Sequence, residues 1–141
     1  MAQCPVRLPP KRAAHGEGAL GTLASALAEA ERIYRTMRAL GERGDAKAKD
    51  DLIGERSRYG MQMLEVLQAI KTDPRLQSDP ARKAEFERRF FTVRKMLADH
   101  QAKWRLDAIS ADQHGYLSSA RALSLAQDDF YHWVATDFSR H

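Results

Sequence analysis

Six residues between Phe86 and Trp104 restrict this chain more than any other feature. Phe86, Phe90, Val93, Leu97, His100 and Trp104 recur at alternating steps of four and three. On an α-helix that spacing draws one stripe, whereas a strand would scatter the six over both faces. A helix with a single apolar stripe is not stable alone in water. The chain must supply other helices to cover it, and no alternating strand pattern of useful length competes.

The rest of the sequence supplies three more amphipathic segments. Residues 19–43 place Leu23, Leu27, Ala30, Tyr34 and Met37 at heptad-like steps, with Leu20, Ile33 and Leu40 widening the stripe. Gly41 and Gly44 end that helix, Gly44 being the better left-handed cap, and Asp45 is placed to cap the next. Residues 46–71 carry Leu52, Tyr59, Met63, Leu67 and Ile70 as a core face, with Ile53, Leu64 and Val66 beside it. Gly54 and Gly60 lie within this helix, each costing about 1 kcal/mol of propensity relative to alanine. Close helix packing at the glycines is the favoured explanation, and a bendable helix is the alternative.

Both Asp-Pro pairs fall in TDPRLQSDP, and proline disfavours helical geometry in the residue before it. Breaks are expected at Asp73 and Asp79, with Pro80 in the first helical position and Asp79 or Ser78 as its cap. Leu76 is expected to fold back over the end of the bundle. A third helix then spans residues 80–109. Ser110 to Gln113 has the form of a capping box, so a fourth helix is expected over residues 111–138. Its stripe is Tyr116, Ala120, Leu123, Phe130, Val134 and Phe138. No glycine or proline lies between Lys103 and Asp112, so a turn there must be tight and capped by side chains, the alternative being two helices that run on with a kink. The predicted fold is all-α: an up-and-down four-helix bundle over residues 18–141, preceded by a disordered tail at 1–17. Half-solvated helices also explain a hydrophobic fraction of 43% beside a charged fraction of 30%.

Function is far less constrained. The tail holds Pro5, Pro9, Pro10 and the single Cys4. One cysteine makes neither an internal disulfide nor a cysteine metal cage, which points to a reducing compartment. The opening residues have no apolar core of a secretion signal, and no run is apolar enough to span a membrane, so the cytoplasm is the expected address. A di-metal carboxylate bundle needs Glu-x-x-His on two helices, and Asp129-x-x-His132 with Asp128 is half of one such motif. His100 is read as a hydrogen-bonded core histidine. His114-Gly115 lacks the setting of a phosphotransfer site. No phosphate loop, nucleophile elbow or Cys/His dyad is present, so no catalysis, metal or cofactor is expected.

Two binding surfaces remain. Over residues 73–109 nine basic side chains stand against six acidic, and over 110–141 two against four. That asymmetry favours pairing between the last two helices. A nucleic-acid or anionic-surface interface on Arg88, Arg89 and Lys95 is the alternative. The last helix carries more rings than one stripe accommodates. Phe91, Tyr131 and Trp133 are therefore the expected partner-binding residues, as apolar surface left after the core is filled, with extra core against a neighbouring helix as the alternative for the rings of the last helix. Self-pairing into a homodimer would also cover them.

The order of elements adds a resemblance. A first helix ends in the Gly-Asp turn of GERGDAKAKDDL, and GERSRYGMQMLEVL follows. A proline-bearing loop, a long helix holding FTVRKMLADHQAKW and a fourth helix complete the pattern. Over residues 19–138 this resembles small helical flagellar export chaperones of the FliT and FlgN type. The resemblance implies a cytoplasmic, non-catalytic protein. It would hold an amphipathic helix of a secreted or filament-forming subunit, and its last helix would regulate that groove.

Overall fold

The computed structural model describes the backbone of residues 18–138 and the side chains from Thr22 to Phe138. The expectations for residues 1–17, Cys4 among them, and for the Leu20 side chain lie outside the described residues. Among those described there are six helices and no strand: α1 (Gly18–Arg43), α2 (Ala46–Thr72), α3 (Pro74–Gln77), α4 (Pro80–Lys103), α5 (Leu106–Ala111) and α6 (Gln113–Trp133). A π-helical turn, Val134–Phe138, continues α6.

Local chemistry sets most of these boundaries. Gly44 takes the left-handed region, with φ +71°, and releases the chain from α1. The Asp45 carboxylate accepts from the Ala48 amide at 2.8 Å and starts α2. Asp73 is fully buried and caps α3, accepting from the amides of Arg75 at 2.9 Å and Leu76 at 3.2 Å. Leu76 is sealed at the end of the core, as its position between the prolines suggests. Asp79, rather than Ser78, caps α4.

The long third helix expected over residues 80–109 is interrupted. It ends at Lys103, Trp104 leaves helical geometry at φ −104° and ψ 73°, and α5 intervenes. Trp104 and Ile109 are both buried in one cluster with Leu52 and Tyr116. On a continuous helix, positions five apart point about 140° from each other, so both side chains reach one cluster only if the helix breaks between them. The capping box is corrected too. Asp112 caps α6, accepting from the Gly115 amide at 2.9 Å, while the Ser110 hydroxyl accepts from Lys49 Nζ at 3.1 Å.

The main core gathers Leu23, Leu27 and Ile33 of α1, Tyr59, Val66 and Ile70 of α2, Phe86, Phe90 and Leu97 of α4, and Leu123 and Phe130 of α6. The pairing of α1 with α2 is the most extensive. The α4 helix packs on α6, and α6 also reaches α1, but α2 meets α4 over a short stretch only. Gly54 and Gly60 do not serve close packing: a Cβ built on either meets nothing within 4 Å. Both face open space on α2. Gly54→Ala and Gly60→Ala should therefore each raise stability, by about 1 kcal/mol or less, because only the unfolded chain loses freedom. Gly44→Ala should lower stability through its positive φ. Urea unfolding followed by circular dichroism checks all three.

Candidate functional site

The aromatic residues at the end of the chain do not form one surface. Tyr131 is only 5% exposed, its ring stacks on Tyr34 at 5.8 Å, and its hydroxyl lies 2.9 Å from that of Tyr59. It is core, not docking surface, because this side of α6 faces the α1–α2 pair. Burial pushes both tyrosine hydroxyls above their ordinary pKa. Trp133 is half-buried against Phe86 at 5.5 Å, under the Arg89 guanidinium at 4.6 Å. Phe91 is exposed and sits on the flank of α4 turned away from Arg89.

A second apolar surface appears where α2 and α4 stand apart. Ile53, Met61 and Leu64 are 41%, 71% and 52% exposed, and Phe91 is 43% exposed. Ile53, Gly60 and Leu64 follow one another at steps of seven and four, with Met61 one turn from Leu64, so they share one flank of α2. The opposite flank is committed to α1, where the Gln62 amide donates to the Ala26 carbonyl at 3.0 Å. The exposed stripe therefore lies on the α4 side. Ile53 and Arg56 also line a concavity with Arg105, Leu106 and Asp107 at the α4–α5 turn, which pins one end of the groove. Sequence periodicity set Ile53 and Leu64 beside the core. The signal missed was that α2 carries more apolar positions than one face can bury.

The three bases suggested for anion binding are already matched. Arg89 meets Glu85 at 2.9 Å, Arg88 meets the same carboxylate at 3.4 Å, and Lys95 meets Asp99 at 2.8 Å. By contrast Arg94 and Arg105, beside the groove, make no ion pair among the described residues. Asp128 is used by Tyr34 at 2.7 Å and Arg38 at 3.1 Å, and His132 and His114 are exposed. No group of three or more His, Cys, Asp or Glu side chains among the described residues gathers around a metal-sized space.

The interior between α1, α2, α4 and α6 is polar in places. The Tyr59 hydroxyl donates to Gln127 Oε1 at 2.7 Å. His100 Nδ1 lies 3.0 Å from the Ser119 hydroxyl, and its ring is 5.6 Å from that of Tyr116. Burial, followed by the positive charge of Arg56, lowers the His100 pKa from 6.5 to about 4. No family model, curated protein or solved structure matches this chain.

The His100 shift has a definite sign. Between pH 6.5 and about 4 the unfolded chain binds a proton that the folded chain refuses. The contribution of neutral His100 is therefore complete above pH 6.5 and is lost as pH falls towards 4. Urea midpoints at pH 7 and pH 4.5 should fall further for the natural chain than for His100→Gln. In the core, Tyr59→Phe strands the polar atoms of Gln127 and Tyr131 and should cost about 1–3 kcal/mol, measured by the same unfolding.

Proposed function

We propose that the chain is a non-catalytic protein-binding module, with α1, α2, α4 and α6 running alternately up and down as a four-helix bundle. On this reading the groove between α2 and α4 receives an amphipathic helix of a client protein, and the chain is a cytoplasmic export chaperone or adaptor of the flagellar type. The observation that carries it is the line of exposed Ile53, Met61 and Leu64 along α2, with Phe91 also exposed on α4, a helix that meets α2 over a short stretch only. From Ile53 to Leu64 the stripe is about 16 Å long at ~1.5 Å per residue, enough for three turns of a helix laid in a groove.

Charge supports a foreign helix over a second copy. Arg94 and Arg105 border the groove without acidic partners, so a client helix with carboxylates along its edge is complementary. A two-fold pairing of this face with itself brings the same unpaired bases into one interface. The regulatory role that the resemblance gives the last helix has no counterpart in this groove, since α6 lies on the other side of α4. The docking residues are accordingly Ile53, Met61, Leu64 and Phe91, whereas Trp133 packs against Phe86 and Arg89 outside this groove.

A photo-crosslinking side chain at position 64 or 91 tests this in the native cell. The expected product joins this chain to a secreted or filament-forming protein, through a helical segment of that protein, and the same probe at position 125 gives none. Leu64→Asp should weaken capture of that partner at least tenfold with helical circular dichroism unchanged. Crosslinks solely between copies of this chain would overturn the reading. So would binding only to nucleic acid with steep salt dependence, which belongs to the basic face of α4.

A further inference from the structure

The buried apolar side chains fall into two groups, and His100 lies where they meet. The main core reaches Leu97 of α4. The smaller group, Leu52, Trp104, Ile109 and Tyr116, gathers around the break between α4 and α5, and Met37 packs against both. His100 follows Leu97 by three residues and precedes Trp104 by four, so it holds the place in the row between the two groups. Its ring lies 5.6 Å from that of Tyr116 in the smaller one. That group is also the weaker. The α5 helix within it is six residues long, starts without a side-chain cap and rests chiefly on α6. A helix so short holds only by its packing. Elements with few buried contacts open locally, at less cost than global unfolding.

The charges facing the His100 ring from other helices are of one sign. It lines a half-open cavity of about 40 Å³ with Arg56 of α2, Tyr34 and Arg38 of α1, and Tyr116 of α6. No Asp or Glu among the described residues lines that cavity. Arg38 is met by Asp128 at 3.1 Å, outside the lining. On α4 itself, Asp99 is held by Lys95 at 2.8 Å, and Lys103 lies over the Trp104 ring at 5.3 Å. The Ser119 hydroxyl of α6, 3.0 Å from Nδ1, can bond to either form of the ring, so this bond does not favour the neutral one. Charge does: an imidazolium here gives up water and gains Arg56 as a like-charged neighbour, with no carboxylate to answer it.

From this geometry we infer that His100 is an acid-operated latch: while neutral it joins the two apolar groups, and its protonation releases the smaller one, with α5 and the first turn of α6, ahead of the main core. The latch does not rest on the client-binding reading. Its size follows from linkage. A histidine freed by opening regains its ordinary pKa of 6.5, against about 4 in the closed molecule. The ratio of open to closed molecules should therefore rise about thirtyfold between pH 7.5 and pH 5.

Amide hydrogen exchange of the full-length protein at pH 7.5 and pH 5, corrected for the intrinsic rate at each pH, reads this opening. The Ile109 and Asp112 amides, which donate to the Arg105 and Ala108 carbonyls, should lose about thirtyfold in protection. Low urea should barely accelerate them, because the opening is local. The Val66 and Phe90 amides of the main core should exchange more slowly and with a steep urea dependence. In His100→Gln most of the loss with pH should vanish from Ile109 and Asp112. If that variant does not fold, the His100 ring resonances of the natural chain decide: their titration midpoint should lie well below 6.5, and Arg56→Met should raise it. One common protection and one urea slope for both sets of amides would overturn the latch. So would a thirtyfold loss that persists in His100→Gln, or a ring midpoint at 6.5.

Discussion

Two tyrosines tie the first half of the molecule to the last long helix. Tyr34 of α1 donates its hydroxyl towards Asp128 and the Ser124 carbonyl, at 2.7 and 3.1 Å. Tyr59 of α2 donates to Gln127 and meets Tyr131. These contacts fall on successive turns of α6, so a slip of α6 by one turn would leave several buried polar groups without partners. Apolar packing tolerates many registers, whereas buried hydrogen bonds tolerate few. The register of α6 in turn sets where Phe130, Trp133 and Phe138 surround Phe86.

The same ties explain why the surfaces of the molecule are unequal. With α6 drawn against α1 and α4, and α1 paired closely with α2, the remaining contact between α2 and α4 is the thin one. Apolar side chains on both flanks of that gap stay wet, at a cost of about 25 cal/mol for each square ångström left uncovered. The glycines at 54 and 60 add backbone exposure to the same side of the molecule. A stretch that is both apolar and locally weak in helix propensity suits adjustment to an incoming helix better than a fully packed face would.

Polar interruptions of apolar rows form a second theme. His100 occupies a core place in α4, and Arg56 occupies one in α2, between Leu52 and Tyr59. The two come together across the interior, where the charge of Arg56 helps keep His100 neutral. The His100 interruption is visible from spacing alone, and its hydrogen bond to Ser119 accords with the reading of a core histidine. Arg56 carries the same signature in its own row. Spacing cannot say whether such a residue turns inward or lets its long stem reach solvent.

The sequence by itself determined most of the helices, because periodicity, aspartate caps such as Asp45 and Asp79, and the glycine at 44 all act within a few residues. It also determined the two breaks at the Asp-Pro pairs. Only the tertiary structure decided that the helix breaks at Trp104, since that depends on Trp104 and Ile109 seeking one cluster. It likewise decided that Tyr131 is core and that Ile53 and Leu64 are surface. Each of those outcomes turns on which neighbour covers a given flank, and the number of apolar residues on a helix does not say where its neighbours will stand.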